Sequence, residues 1–285
     1  MREETLRIKA SIREHLYGSP LFFPVRTAYQ AIFDRAKLVD RMQMRDFYAP
    51  FVRRGDLVFD VGAHFGKYAE CFTALGATVI AIEPNPSCCE SLRRLARSRN
   101  IHVENCAVGD QPGKLQLHIC VEYPSLSTVT NEWYEAAQNS PLQHRNAHWQ
   151  EPIEVDVVTL DQLAARYGIP SFVKIDVEGF DDHVLRGMSF QPRALSFEFN
   201  REVPQVAERC FDAPVLANSY EFNYTYGTRL SSAHWMDVKE VRSHIFNGEK
   251  YFGDVVARRA PRSNGADRDL REKSSSSLTL QSKAS

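Results

Sequence analysis

This sequence has no excess of charge of either sign, no Cys-x-x-Cys pair and no apolar run of membrane-spanning length. Its 35 Lys and Arg residues balance 36 Asp and Glu residues, for a formal net charge of −1. Nucleic-acid binding depends on a strongly basic surface, so this balance argues against a nucleic-acid partner. Since neither a signal-peptide pattern nor a membrane-length segment is present, we expect a cytoplasmic protein without a membrane span.

The cysteines predict free thiols rather than a metal site. Most of the six lie in apolar helical or strand contexts, and the adjacent Cys88 and Cys89 cannot face the same way on a helix. We therefore expect buried, reduced thiols in a reducing compartment. The six residues are Cys71, Cys88, Cys89, Cys106, Cys120 and Cys210.

The 285 residues are predicted to form three parts, with one enzyme-sized domain in the middle. Residues 1–50 read as an N-terminal helical segment that covers a face or edge of a sheet, and residues 261–285 as a Ser-rich, disordered tail. Between them, residues 51–260 alternate between strand and helix patterns. This order predicts an α/β domain with a doubly wound, mainly parallel, seven-stranded sheet.

The predicted elements of this domain are bounded by turn and cap signals. The candidate strands are Leu57–Val61, Thr78–Glu83, Ile101–Cys106, Lys114–Val121, Ile153–Val158, Phe172–Asp176, Ala194–Phe199, Tyr220–Thr225 and Tyr251–Ala257. The candidate helices are Lys67–Leu75, Ser87–Arg97, Leu160–Tyr167, Asp181–Arg186 and Val203–Phe211. The segment Glu122–Gln150 shows no clear strand pattern, and a loop of that length predicts a lid or binding element.

The first predicted strand enters a turn with two glycines, Gly62 and Gly66, followed by a helical pattern. Such a strand, turn and helix are typical of a nucleotide-binding domain, in which glycine lets the backbone approach the ligand. Asp60 precedes the turn, and an anion there disfavours a pyrophosphate cofactor such as NAD or FAD. It suits S-adenosylmethionine, which lacks phosphate and carries positive charge, and Glu83 at the end of the second strand can accept both ribose hydroxyls.

A second group of charged residues ends a buried strand at Lys174, Asp176 and Glu178. Ligands of open α/β sheets bind at this end of the strands, and Gly179 permits a sharp exit into the next helix. Methyl transfer to a hydroxyl needs a base, which a carboxylate or a neutral lysine provides. The pattern leaves open which of the three serves as the catalytic base, and a structural ion pair is the alternative.

Six sequence blocks resemble the FkbM family of S-adenosylmethionine-dependent methyltransferases. They are Asp-Val-Gly-Ala-His-Phe-Gly from Asp60, Ile-Glu-Pro-Asn from Ile82, Asn-Cys-Ala-Val-Gly-Asp from Asn105, Val-Thr-Leu-Asp from Val158, Lys-Ile-Asp-Val-Glu-Gly from Lys174 and Val-Leu-Arg-Gly from Val184. The resemblance implies a class I methyltransferase fold and O-methylation of a sugar, glycan or natural product. Two positions depart from the family pattern, since His64 stands where many members have Asn and Asn200 where His is expected.

The resemblance also implies positions for the ligands. The methionine and ribose parts of the cofactor are expected at Asp60, Gly62, Gly66 and Glu83, with Ala63, His64 and Tyr68 beside them, and the adenine near Asn105, Cys106 and Ala107. The acceptor is expected near Ser125, Ser127, Glu198 and Asn200. Turn hydrogen bonding explains the two serines equally well.

Three alternatives remain at this stage. Asp176 and Glu198 could share a divalent cation such as Mg²⁺, but a metal-free site is favoured because the spacing fixes no third ligand. Methylation of nucleic acid is disfavoured by the balanced charge and the lack of a base-holding motif. A methyltransferase-like binding protein without activity is disfavoured by the presence of Asp60, Glu83, Asp176 and Glu178.

Overall fold

The computed structural model describes residues 35–260 except 122, 140–147, 202, 218 and 249–251. Most of the predicted N-terminal segment and all of the predicted tail lie outside the described residues. The strands are β1 Leu57–Val61, β2 Thr78–Ile82, β3 Ile101–Glu104, β4 Ala107–Val108, β5 Gly113–Leu117, β6 Ile153–Val158, β7 Phe172–Ile175, β8 Ala194–Asn200, β9 Tyr220–Thr225 and β10 Phe252–Arg259. The helices are α1 Arg35–Tyr48, α2 Lys67–Ala74, α3 Pro86–Ala96, α4 Asn131–Asn139, α5 Leu160–Tyr167, α6 Asp181–Arg186, α7 Pro204–Phe211 and α8 Val238–Asn247.

Seven strands form the central sheet, in the order β3-β2-β1-β7-β8-β10-β9. The first five are mutually parallel, whereas β10 runs antiparallel to both β8 and β9. The prediction of a mainly parallel, seven-stranded α/β sheet is therefore confirmed. Parallel strands end at one common edge, so the residues that follow β1, β2, β7 and β8 come together there.

Two of the predicted strands lie outside this sheet. β5 and β6 pair antiparallel and, with β4, form a separate three-stranded sheet in the order β4-β6-β5. The alternating burial of β6 fits this position, because a strand of a small sheet is covered on one face only. The central strands β1 and β7 are buried along nearly their whole length, as a sheet with helices on both faces requires.

Alternate residues of the central strands pack into two hydrophobic cores on opposite faces of the sheet. Phe59 and Val173 belong to the larger core, and Val58 and Phe172 to the other. Helix α1 covers this second face, where the Tyr48 ring lies 5.7 Å from that of Phe172. The described part of the N-terminal segment thus packs on the sheet.

Two helices of the described chain are absent from the sequence prediction. Helix α4 lies in the segment expected to be a loop; the Thr130 hydroxyl accepts the Trp133 N–H at its start, and Trp133 is buried. At the start of α8, the Asp237 side chain accepts the Glu240 N–H. Both caps are readable in the sequence as an N-cap residue three positions before the residue it caps. No helix among the described residues is long and apolar enough to cross a membrane.

Candidate functional site

A cavity of about 220 Å³ opens at the edge where β1, β2 and β7 end. Eleven of the predicted site residues line it: Gly62, Ala63, His64, Tyr68, Glu83, Cys106, Ala107, Ser125, Ser127, Asp176 and Glu178. The others, which are not among its lining residues, are Asp60, Gly66, Asn105, Lys174, Glu198 and Asn200. The sheet therefore brings the two predicted halves of the site, 57–83 and 174–178, to one space.

The turn after β1 is possible only with glycine at position 62. Gly62 has φ +78°, and a Cβ atom there would lie 1.8 Å from the carbonyl oxygen of Asp176. This contact joins the turn directly to the end of β7, so the backbone closes the floor of the cavity. Gly66 has a different role: its φ is +85° at the start of α2, and a Cβ would lie 2.8 Å from Leu95. Gly66 therefore lets α2 pack on α3.

Glu83 is held by two backbone donors. Its Oε1 accepts the Asn85 N–H and its Oε2 accepts the His64 N–H, both at 2.8 Å. The side chain is only 7% exposed, and burial raises its pKa to about 7. Each oxygen keeps a lone pair for a further donor, which is the arrangement that binding of two neighbouring hydroxyls requires.

His64 is strained and presents an unused nitrogen. Its φ is +50°, in the left-handed region, and its backbone N–H is committed to Glu83. The Nε2 atom is buried without a hydrogen-bond partner among the described residues, and burial lowers the pKa of the ring. His64 therefore lines the cavity, while its Nε2 is enclosed by protein.

Asp60 lies behind the cavity wall and has no exposed surface. Burial raises its pKa to about 7, against the opposing effect of the Lys174 ammonium. Neither carboxyl oxygen has a hydrogen-bond partner in the described chain; the Ala69 N–H of α2 lowers its pKa without meeting hydrogen-bond geometry. Asp60 thus does not contact the cavity directly. Asn105 also stays outside the lining, because its side-chain amide donates to the Glu83 and Pro84 carbonyls at 3.0 Å each and fixes that turn.

Lys174 is a buried cation. It has no exposed surface, and its Nζ lies 3.0 Å from both Asp176 and Asp254 and 4.5 Å from the ring centroid of Tyr68. Burial alone would lower the pKa of Lys174, but the two carboxylates outweigh it and the pKa lies well above its usual range. This state is the opposite of the neutral lysine that a general base requires. Sequence reasoning missed Asp254, since β10 reaches this position only through sheet pairing.

Three carboxyl groups meet beside this lysine. One oxygen atom from each of Asp176, Glu178 and Glu198 lies within 4.8 Å of the other two. Burial, reinforced by the charge of neighbouring carboxylates, raises the pKa of both Glu178 and Glu198 well above the ordinary value. Glu178 has φ +52°, and its carbonyl accepts the Thr128 hydroxyl at 2.8 Å, which ties the 124–129 segment to this turn.

The predicted acceptor residues divide into two groups. Ser125 and Ser127 line the cavity, and the Ser127 hydroxyl also accepts the Cys120 N–H at 3.2 Å. Glu198 reaches the carboxyl cluster at its far side, whereas Asn200 ends β8 in register with Phe252 and does not line the cavity. The structure therefore brings the serines, but not Asn200, to the space where a ligand fits.

Comparison with known proteins gives the same assignment as the sequence blocks. The family model described as "Methyltransferase FkbM domain" matches residues 60–243. The 31-O-demethyl-FK506 methyltransferase FkbM of Streptomyces tacrolimicus is 30% identical over 185 residues, which are 56% of this chain and 67% of that protein.

Solved structures are more distantly similar. A putative rRNA-methylase from Clostridium thermocellum is 10% identical, with a TM-score of 0.41 and coverage of 78% of this chain and 96% of that one. A TehB-like SAM-dependent methyltransferase from Corynebacterium glutamicum is 9% identical, with a TM-score of 0.37 and coverage of 83% and 100%. The match of the family model to more than half of the chain shows that this protein belongs to the FkbM family of methyltransferases.

Proposed function

We propose that this protein transfers a methyl group from S-adenosylmethionine to a hydroxyl group of a sugar, glycan or small natural product. One observation carries the proposal: the Gly62 turn and Glu83 bound the same cavity as Asp176 and Glu178. A cofactor half and a proton-accepting half therefore share one space. The FkbM protein of Streptomyces tacrolimicus, whose name describes methylation of an oxygen atom in a small molecule, supports this choice of acceptor.

The residues of the cavity fit S-adenosylmethionine. Glu83 has two oriented oxygens for the ribose hydroxyls, and His64 lines the same cavity. Cys106 and Ala107 offer small side chains to the adenine. When bound, the cofactor supplies a methyl group on a sulfonium sulfur, which leaves as a neutral thioether.

Among the three candidate bases, the geometry favours Asp176. Its Oδ2 accepts a hydrogen bond from the Lys174 ammonium, and Oδ1 has no hydrogen-bond partner among the described residues. Asp176 is thus held in place by Lys174 and has a second oxygen to take the acceptor's proton. Glu178 then orients the acceptor hydroxyl, and Lys174 positions Asp176 without touching the substrate.

The test is methyl transfer by the native chain and its Asp176→Asn variant. We would incubate each with labelled S-adenosylmethionine and 31-O-demethyl-FK506, glycans or metabolite extracts, and detect methylated products by mass spectrometry. Asp176→Asn should retain cofactor binding and lose about 10²–10⁴-fold in turnover, the usual contribution of a positioned base. Asp212→Asn is the matched control, because Asp212 is an exposed partner of Arg242.

Each other outcome contradicts a stated part of the proposal. Native-like turnover in Asp176→Asn would refute the role of the carboxylate. Transfer to RNA or DNA, offered in the same assay, would favour the nucleic-acid alternative. Tight cofactor binding with no transfer to any acceptor would favour a binding protein without activity.

A further inference from the structure

The carboxyl cluster at the end of β7 has too few cations for its charge. Lys174 is the basic residue that pairs with it in the described chain, and its ammonium is shared between Asp176 and Asp254. Neither Glu178 nor Glu198 makes an ion pair with a basic side chain within the described ranges. Partly buried carboxyl groups this close together repel one another when they are ionised, so this arrangement favours a bound cation.

Asp181 provides an independent observation at the same place. It lies in the first turn of α6, is only 1% exposed, and its Oδ1 has no hydrogen-bond partner among the residues described. The charge of the Asp181 carboxyl group raises the pKa of both Glu178 and Glu198, and the charge of Asp176 raises the pKa of Asp181, so Asp181 lies close to the cluster. A buried carboxyl oxygen without a hydrogen-bond partner, next to three other carboxyl groups, adds to their negative charge and favours a bound cation.

The spacing of the oxygens suits a hard divalent cation. Bonds of about 2.0–2.6 Å from such an ion to oxygen place opposite ligands about 4–5 Å apart. That separation is the largest that two ligands of one ion can have, and the oxygens of Asp176, Glu178 and Glu198, which all lie within 4.8 Å of one another, stay below it. An all-carboxylate set matches Mg²⁺, Mn²⁺ or Ca²⁺ rather than a metal that prefers nitrogen or sulfur ligands.

We propose that Asp176, Glu178 and Glu198 bind one hard divalent cation, with Asp181 as an additional carboxyl group behind them. Asp176 and Glu178 line the cavity, so the ion would be reached from the cavity and would keep coordination positions open towards it. Such a position can bind the acceptor's oxygen and make its hydroxyl easier to deprotonate. This role rests on the proposed transfer to a hydroxyl and replaces the base role of Asp176, whose second oxygen then binds the ion, whereas binding of the ion rests on neither.

The probe is Mn²⁺ itself, added to the full chain after treatment with EDTA. Loss of the free-ion signal in electron paramagnetic resonance measures the bound fraction, and Mg²⁺ and Ca²⁺ are tested as competitors. We expect one saturable site per chain and an affinity at least about tenfold lower in Glu198→Gln. Glu198 does not line the cavity, so calorimetry should find cofactor affinity unchanged in this variant and thereby show that it is folded.

Glu208→Gln is the matched control, because Glu208 lies on α7, is half exposed and contacts Arg242. It should bind Mn²⁺ like the native chain. If Glu198→Gln does not fold, Glu178→Gln replaces it with the same expected loss.

The proposal is overturned if the native chain shows no saturable binding of any of the three ions, or if binding survives unchanged in both Glu198→Gln and Glu178→Gln. Methyl transfer by a chain that binds no ion would contradict the metal site and leave the proposed function intact. Ion binding by a chain that does not bind S-adenosylmethionine would contradict the proposed function and leave the metal site intact.

Discussion

Replacing Glu83 with Gln should weaken S-adenosylmethionine binding by about 10- to 150-fold. The two oxygens of Glu83 each accept one backbone N–H at 2.8 Å, from Asn85 and from His64. A Gln amide has one oxygen and one NH₂ group, so its NH₂ would face one of these donors and could no longer accept a ribose hydroxyl. Hydrogen bonds to a charged group contribute about 1.5–3 kcal/mol, which corresponds to the stated loss.

The pH dependence sharpens this prediction. Because burial raises the pKa of Glu83 to about 7, the carboxyl group is largely protonated at lower pH. Its ionised form is the one that accepts both ribose hydroxyls, so cofactor affinity of the native chain should rise with pH through about 7 and then level off. In Glu83→Gln this dependence should weaken, since one titrating group is lost.

Isothermal titration calorimetry at several pH values measures both effects. Glu90→Gln is a suitable control, because Glu90 is exposed on α3 and pairs with Arg94 one helical turn away. Unchanged affinity in Glu83→Gln, or an affinity that falls as pH rises, would refute the assignment of Glu83 to the ribose.

Three further predictions concern stability. Gly62→Ala should abolish cofactor binding and lower the melting temperature, because its Cβ would lie 1.8 Å from a backbone oxygen; Gly227→Ala, with no atom near its Cβ, should change neither. Lys174→Gln should lower the free energy of unfolding in urea by about 3–5 kcal/mol, since it leaves two partly buried carboxylates without their cation, whereas Arg94→Gln in an exposed pair should lower it little. The chain without ligand should melt at a higher temperature near pH 5.5 than near pH 8. Carboxyl groups with a raised pKa keep their protons in the folded state at pH 5.5, whereas in the unfolded chain the same groups lose them above about pH 4, so the folded state loses stability as the pH rises towards 8. A higher melting temperature near pH 8 would contradict this. The groups whose pKa burial raises to about 7 are Asp60, Glu83 and Asp181.

The parts of the site that are continuous in the chain could be predicted from the sequence. Gly62 marks a turn that no other residue can form, and the apolar runs of β1 and β7 mark strands buried on both faces. These signals are local, because a backbone angle or a run of buried residues depends on neighbours in the chain. They were sufficient to predict the parallel sheet and the family, although not the two capped helices α4 and α8.

The partners of each charged group were decided by the tertiary structure. The sequence left Lys174, Asp176 and Glu178 equal as candidate bases, and only the pairing of β10 with β8 brings Asp254 to the ammonium of Lys174. The same sheet brings Glu198 to Asp176 and Glu178, which provides the third carboxyl group that the spacing along the chain did not. Strand order and register depend on packing between distant segments, so the sequence determined which residues carry chemistry, and the fold decided which of them meet.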